Sequence, residues 1–353
     1  AIDADVPKST ELDELNDVFH VNDMSVKKQS DTLHPLRFVD AIKEAISQKM
    51  ESDESIILMG QDIAEYGGVF KISEGFVQKF GKSRVRNTPI IESGAIGAAM
   101  GLALEGYKPV VEMQFADFVS CGFNQIVNNL AKTHYRWDAP LNVTLRMPCG
   151  GELSAGPFHS QNPESWFFHV PGLKIVYPSS PADVKGLLVS SIEDPNPVLF
   201  FEHKGLYRSV KGDVSVDLYN FPLGKANIVR IGSNATIVTY GKAVHWAVDL
   251  VTRLDVSVEI IDLRTLVPWD RQTVLASIQK TNRALVLHEA NITGGIGAEI
   301  ASTISEEAFE LLDAPVKRIA SLDTPIPFAS LIEKNVYLPH KRFENALQEL
   351  LEY

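Results

Sequence analysis

The spacing of apolar residues predicts a helix near the start of the chain and further elements after it. Between 38 and 50, Phe, Val, Ile, Ala and Met side chains recur at intervals of three or four residues, as on one helical face. The apolar run at 55–60 predicts a buried strand. We expect Pro148 to end one of the later strands. The same criteria predict strands at 110–113, 141–147, 174–177 and 197–202, and helices at 92–107, 123–133 and 181–191.

After a loop-rich stretch at 205–223 the alternation becomes regular. Strands alternating with helices imply right-handed crossovers and a mostly parallel sheet covered on both faces. The first 33 residues are acidic and show little periodicity. The sequence therefore predicts an α/β protein with an extension or linker at 1–33 that docks on something else, a first domain at 34–210 and a second at 211–353. In the second domain, strands are expected at 235–240, 256–262, 284–288 and 316–320, and helices at 243–254, 271–281, 297–312 and 342–351.

Composition and charge exclude several classes of protein. The 353 residues include 33 Lys and Arg against 45 Asp and Glu, so the net charge of −12 disfavours binding to nucleic acid or an anionic membrane. Two cysteines are too few for a disulfide framework. No apolar run approaches the roughly 20 residues of a membrane span. Residues 1–36 contain eight acids, three lysines and no arginine, so we expect neither a signal peptide nor a mitochondrial transit peptide.

Two motifs invite a chemical interpretation that their residues only partly support. The run Gly294-Gly295-Ile296-Gly297 follows a predicted strand and opens a helix, where phosphate could bind. The dinucleotide fingerprint needs another glycine further on, which is missing, so close helix packing is the favoured interpretation. Cys149 could be a nucleophile, but a single cysteine is more often a small buried apolar group.

Four residues are better candidates for chemistry. Glu92 begins the predicted helix at 92–107, which is rich in glycine and alanine. It is either an acid that complements the helix dipole or a carboxyl held in a dry pocket. His159 lies in a loop of polar residues and chain breakers, either simply exposed or as a general acid/base. Phe115 and Phe118 are either core residues or a face that stacks on a flat heterocycle.

These stretches together carry a resemblance. From about Leu36 onward the chain resembles the β subunit of the E1 component of 2-oxo acid dehydrogenase complexes, which is transketolase-like and depends on thiamine diphosphate. The branched-chain type is the most similar, although Phe118 stands where that type usually has tyrosine. The resemblance implies a pyrimidine-binding domain followed by a transketolase C-terminal-like domain. The stretches that carry it are TPIIESG (88–94), EMQFADF (112–118), HSQNPE (159–164), PGLKIV (171–176), IDLRTLVPWD (261–270) and LDAPVKR (312–318).

The resemblance assigns roles to four residues. Glu92 matches the glutamate that hydrogen-bonds N1′ of the aminopyrimidine and so promotes loss of the C2 proton of the cofactor. Ile90 and Phe118 match positions that pack on the pyrimidine. His159 matches the acid/base residue of acyl transfer to the lipoyl group of E2.

The resemblance also implies partners. This class holds Mg²⁺ and the diphosphate through a Gly-Asp-Gly motif, which does not occur in the chain. We therefore expect no Mg²⁺ ligands here, and an α chain, or the α half of a fused chain, that holds the diphosphate. The expected assembly is an α₂β₂ tetramer with a second β chain, bound to lipoyl-bearing E2. Alternatives are a pyruvate or acetoin E1 β subunit and a non-catalytic scaffold. The expected compartment is the bacterial cytoplasm, or the mitochondrial matrix in a eukaryote.

A potassium site is implied as well. Backbone carbonyls, hydroxyls and one carboxylate would supply hard oxygen ligands. An ordinary turn at 192–197 is the alternative interpretation. The matching positions are Leu141, Val143, Thr144, Ser191, Asp194 and Asn196.

Overall fold

The computed structural model describes residues 8–21 and 24–353, and it contains two α/β halves. The parts of the predicted N-terminal extension at 1–7 and 22–23 lie outside the described residues. A seven-stranded sheet forms the first half and a five-stranded sheet the second. Helices cover both faces of these mostly parallel sheets, so the predicted α/β fold class is confirmed. No helix in the described part of the chain is long and apolar enough to cross a membrane.

The first half contains strands β1 to β8. Six of them form the seven-stranded sheet together with β12 (Thr265–Val267), in the order β12-β6-β7-β5-β4-β2-β3, and β1 pairs with β8 in a separate ribbon. The strands are β1 (Leu33–Arg37), β2 (Ile56–Gly60), β3 (Val85–Asn87), β4 (Lys108–Glu112), β5 (Thr144–Cys149), β6 (Lys174–Val176), β7 (Val198–His203) and β8 (Lys211–Ser215). The helices are α1 (Glu11–Asn16), α2 (Phe38–Ser52), α3 (Phe76–Phe80), α4 (Glu92–Leu104), α5 (Ala131–Trp137), α6 (Ser165–Phe168), α7 (Pro181–Glu193) and α8 (Leu206–Ser209).

The second half contains the five-stranded sheet, in the order β14-β13-β10-β11-β9. Only β9 runs antiparallel to its neighbour within this sheet. The strands are β9 (Asn227–Arg230), β10 (Ala235–Thr239), β11 (Val258–Asp262), β12 (Thr265–Val267), β13 (Ala284–Asn291) and β14 (Lys317–Ser321). The helices are α9 (Lys242–Leu254), α10 (Arg271–Thr281), α11 (Ile296–Glu307), α12 (Ser330–Ile332) and α13 (His340–Glu352).

Two strands pair across the predicted domain boundary at 210/211. The β8 strand lies beyond that boundary, yet it pairs with β1 in an antiparallel ribbon. The β12 strand follows β11 in the second half but pairs with β6 at the edge of the first sheet. One apolar core continues from the first sheet into the second, through residues such as Tyr177 and Tyr240. The two halves therefore share a continuous apolar core.

Most predicted elements are present because local signals agree with tertiary burial. The apolar face of α2 is buried, including Phe38, Ile42 and Ile46. The α7 helix begins at a Ser180 cap that accepts a hydrogen bond from Asp183, with proline at the first helical position. Gly295 and Gly297, at the start of α11, serve packing, as favoured from the sequence. A Cβ would lie 2.5 Å from the His288 ring at Gly295 and 2.7 Å from it at Gly297, while Gly294 has open space around it.

One expectation from the sequence is wrong and another needs refinement. The stretch expected as a helix at 123–133 is helical, but it contains a π-helix at Gln125–Leu130 that continues into α5, after a 3₁₀ helix at Ala116–Gly122. Pro148 does not end β5, which runs on to Cys149. Beyond Arg146, β4 no longer pairs with β5, so the missing proline donor faces no strand on that side.

The described part of the N-terminal extension contacts the first half of its own chain. The backbone N–H of His20 donates to Asn196 (2.8 Å), and that of Lys27 donates to Asn220 (2.8 Å). Asn220 also donates to the Ser25 carbonyl (3.0 Å). The extension includes the short helix α1, which the sequence analysis did not predict. A capping box formed by Thr10 and Asp13 starts that helix.

Candidate functional site

Glu92 begins α4 and points toward the loop that follows β2. Its Oε1 accepts a hydrogen bond from Nε2 of Gln61 at 3.1 Å. The other carboxylate oxygen has no hydrogen-bond partner in the described parts of the chain. The residue is half-buried, so this chain alone does not enclose it in a dry pocket.

An aromatic cluster surrounds His159. Its imidazole lies edge-to-face against Phe115, with ring centroids 4.8 Å apart, and against Phe118, at 5.6 Å. The two phenylalanines also meet edge-to-face at 5.9 Å. Phe118 and His159 are both half-buried, so each keeps an accessible part. Two residues that the sequence analysis proposed separately therefore share one site.

The helix that carries Phe118 packs on the first turn of α4. Gly122, at the end of this 3₁₀ helix, packs closely on α4: a Cβ there would lie 2.4 Å from Cδ1 of Ile96 and 3.7 Å from the Glu92 carbonyl carbon. Glu92 and the aromatic cluster thus lie on neighbouring elements. Ile90, just before α4, is 85% exposed. Ile91, next in the chain, is 50% exposed, so the chain presents an apolar surface just before Glu92.

Asp117 holds the loop that carries His159, a role that the sequence analysis missed. It is buried, and its Oδ1 accepts hydrogen bonds from the backbone N–H groups of Ser160 (3.2 Å) and Gln161 (3.1 Å). Its Oδ2 has no partner among the described residues. In the sequence, a carboxylate between the two phenylalanines was the one feature that could have indicated this role. Its hydrogen-bond partners could not be found from the sequence, because they lie 43 and 44 residues away.

Cys149 is not a candidate nucleophile in this structure. It is fully buried at the end of β5, and its thiol donates to the Tyr177 hydroxyl at 3.0 Å. Burial raises the pKa of this thiol well above its ordinary value. The sequence-based preference for a small buried group is confirmed.

The six predicted potassium positions lie near one another, around the start of β5 and the end of α7. Hydrogen bonds run from Thr144 Oγ1 to the Ser191 carbonyl (3.0 Å) and from the Asn196 backbone N–H to Asp194 Oδ1 (3.0 Å). The Lys174 ammonium lies 2.7 Å from Asp194 Oδ2 and balances its charge. The carbonyls of Leu141 and Val143 each accept a backbone hydrogen bond. A carbonyl oxygen has two lone pairs, so the set still offers oxygens to a cation.

Divalent metals have no evident protein ligands here. Within residues 8–21 and 24–353, no group of three or more His, Cys, Asp or Glu side chains is arranged to hold a metal ion. A diphosphate bound through Mg²⁺ would need such oxygen ligands. The residues near Glu92 instead suit a flat, weakly polar ring, since they combine aromatic edges, an exposed isoleucine and a carboxylate acceptor.

Comparison with known proteins gives two family models. Residues 34–210 match "Transketolase, pyrimidine binding domain" and residues 224–342 match "Transketolase, C-terminal domain". A solved structure described as "Split gene transketolase, inactive beta4 tetramer" superposes with a TM-score of 0.73. It is 22% identical and covers 90% of this chain and 98% of its own. This second likeness supports the fold.

Several relatives are similar over most of their length. The 2-oxoisovalerate dehydrogenase subunit beta 2, mitochondrial, of Arabidopsis thaliana is 43% identical over 93% of this chain and 93% of its own. The 2-oxoisovalerate dehydrogenase subunit beta of Bacillus subtilis is 41% identical over 90% and 99%. The pyruvate dehydrogenase E1 component subunit beta of Staphylococcus epidermidis is 40% identical over 87% and 95%.

Proposed function

The chain belongs to the E1 β subunits of 2-oxo acid dehydrogenases, and from that premise we propose that it works with an α chain to decarboxylate a branched-chain 2-oxo acid. The acyl group would pass to a lipoyl group on E2. The observation that carries this proposal is the ring contact between His159 and Phe118, which lies on a 3₁₀ helix that packs against the start of α4, where Glu92 lies.

The cofactor of the proposed reaction is thiamine diphosphate. When bound, it supplies an electron sink for loss of CO₂. Glu92 would hold a proton between its free carboxylate oxygen and N1′ of the aminopyrimidine. Ile90 and Phe118 would pack on the pyrimidine and exclude water. His159 would give or take a proton during acyl transfer, and its accessible part permits this.

An α chain would complete the site. It would hold the Mg²⁺ and the diphosphate and cover Ile90, and this burial would enclose the half-exposed Glu92. We propose an α₂β₂ assembly with a second β chain, or the same arrangement with the α half fused to this chain. Relatives from a bacterium and from a mitochondrion make both the bacterial cytoplasm and the mitochondrial matrix candidate compartments.

Recovery of the complex from its own cells, through a tag on this chain, tests the assembly. Native mass should equal two copies of this chain plus two α polypeptides, with two cofactors bound. Recovery of this chain alone, without cofactor, would contradict the proposal and favour a scaffold. In the intact complex, His159→Ala should abolish acyl transfer to a lipoyl domain. Transfer at the wild-type rate would refute the role of His159.

The preferred substrate needs its own measurement. Relatives named for 2-oxoisovalerate and for pyruvate have similar identities, so pyruvate is the second candidate. The ratio of kcat/KM for 2-oxoisovalerate to that for pyruvate should exceed one. A ratio below one would identify a pyruvate enzyme.

Potassium is the last part of the proposal. An ion bound only by the folded chain raises the melting temperature. Replacing choline by K⁺ at constant ionic strength should therefore raise the Tm of the complex. Asp194→Asn should reduce that rise, and an equal Tm in both salts would contradict the potassium site.

A further inference from the structure

The loop at 150–162, which carries His159, is tied to the second half of the chain by Glu289. This glutamate lies in β13 and is 5% exposed. Its Oε1 accepts hydrogen bonds from the backbone N–H of Gly151 (2.7 Å) and from Nδ2 of Asn162 (3.0 Å). One carboxylate oxygen thus joins the two ends of the loop. The donors lie 138 and 127 residues away in the sequence.

Glu289 also bonds to His203, at the end of β7. The histidine Nε2 lies 2.6 Å from Glu289 Oε2, while its Nδ1 accepts from the backbone N–H of Gly205 at 3.0 Å. The ring proton therefore lies on Nε2 and is donated to the carboxylate. Burial opposes ionisation of Glu289, but its interaction with His203 and the hydrogen bonds from the loop lower its pKa to about 2. Its bonds to the loop are charge-assisted and stronger than neutral ones.

The loop depends on such external partners because its own backbone is unfavourable. Glu152 and Ser154 both adopt positive φ angles, 67° and 53°, which non-glycine residues rarely adopt. Their backbone N–H groups donate to Glu333, at 2.8 and 3.2 Å. Strained conformations of this kind persist only where contacts with the surrounding structure hold them in place. The second half of the chain supplies these surroundings through Glu333 and Glu289.

We propose that Glu289 is a positioning residue that holds the loop so that His159 faces the acyl group to be transferred. Glu289 acts through Gly151 and Asn162 and makes no hydrogen bond with His159. The inference rests on the proposed function, because it assigns to Glu289 an effect on the step given to His159. Decarboxylation depends on Glu92, which is on another element. Loosening the loop should therefore impair acyl transfer selectively.

The test measures two half-reactions in the complete complex with its α partner and cofactor. One is oxidation of the 2-oxo acid with ferricyanide as acceptor, and the other is acyl transfer to a free lipoyl domain. In Glu289→Gln, acyl transfer should fall on the order of 10- to 100-fold, the scale expected for a misplaced catalytic group. The ferricyanide reaction should change by less than about threefold on the same reasoning.

A second variant and a control keep the test independent of folding. Asn162→Ala removes the contact from the loop side and leaves the pair of Glu289 and His203 in place, so it should show the same selective loss. Tyr240→Phe is the matched control. It removes a hydrogen bond to Glu164 at the same buried interface (2.8 Å) without touching the loop, and should leave both half-reactions unchanged.

The outcomes separate the inference from the proposed function. Any slow acyl transfer that remains in His159→Ala should not fall further when Glu289→Gln is added, because Glu289 acts through His159. Equal loss of both half-reactions, or unchanged acyl transfer in Glu289→Gln and Asn162→Ala, would overturn the positioning role while the proposed function stands. A wild-type complex without either half-reaction would overturn the proposed function, and the positioning role with it.

Discussion

Both carboxylate oxygens of Glu202 accept hydrogen bonds from the Arg146 guanidinium, at 2.7 Å from Nε and 2.8 Å from Nη2. The remaining terminal nitrogen, Nη1, donates to Glu112 at 2.6 Å. All three side chains are buried, and burial raises the pKa of Glu112. Arg146 lies on β5, Glu202 on β7 and Glu112 on β4. These adjacent strands lead into the His159 loop, His203 and Phe115, so the network stabilises the part of the sheet that supports the site.

Arg146→Met should lower the free energy of unfolding by about 3–5 kcal/mol, because it leaves two buried carboxylates unpaired. Urea denaturation measures this change. Arg253→Met is the control, since Arg253 pairs with Glu344 at an exposed position, with 60% of its side chain accessible. Its loss should stay below about 1 kcal/mol. Equal effects of the two substitutions would contradict the role of the buried network.

Glu92→Gln should lower kcat for 2-oxo acid decarboxylation on the order of 10²- to 10⁴-fold, the range for loss of a general acid/base. Thiamine diphosphate should still bind, since glutamine keeps the size of the side chain. Enzyme assay and cofactor titration of the complex give the two quantities. Glu105→Gln, at the exposed end of α4, is the control and should change neither. A decrease in kcat of less than about threefold would exclude proton transfer by Glu92.

Stability should fall with rising pH because of Glu164. Burial raises the pKa of this carboxyl from 4.5 to about 8, and Tyr240 donates to it at 2.8 Å. The folded state then binds a proton that the unfolded state has lost, so between pH 4.5 and 8 the Glu164 contribution decreases by about 1.4 kcal/mol per pH unit.

Glu164→Gln should remove this part of the pH dependence and increase stability relative to wild type near pH 8. Urea denaturation of both proteins from pH 5 to pH 9 measures the difference in slope. Parallel stability curves for the two proteins would show that Glu164 ionises normally.

Asn220→Ala should release the N-terminal extension without loss of activity. Asn220 is buried and binds the backbone of both Ser25 and Lys27, so alanine removes two attachments. Trypsin should then cut faster after Lys27 and Lys28. Time courses of limited proteolysis, read by mass spectrometry, measure the rate. Asn128→Ala is the control, because Asn128 is exposed and its side chain bonds to Asn124 and Lys132, with no hydrogen bond to the described part of the extension. Unchanged cleavage in Asn220→Ala would contradict the attachment.

Local patterns predicted much of the fold and part of the site. The helix expected from 38 to 50 is α2, and the strands and helices of the second half follow the predicted order. Glu92, Phe118 and His159 were identified from motifs. The short strand β12 was missed, because it is held by pairing with β6 and three residues carry no period of their own. The π-helix was missed because its side chains follow an ordinary helical pattern.

The sequence by itself determined the order of the elements, the α/β class and the family, since periodicity and short motifs are local properties. Tertiary structure alone decided which polar groups meet in the interior. Asp117 and Glu289 become recognisable as supports of the His159 loop only in the folded chain, where their carboxylates accept hydrogen bonds from the loop backbone. A buried carboxylate takes whichever donors the packed sheets bring within about 3 Å, and that choice depends on the register of distant strands.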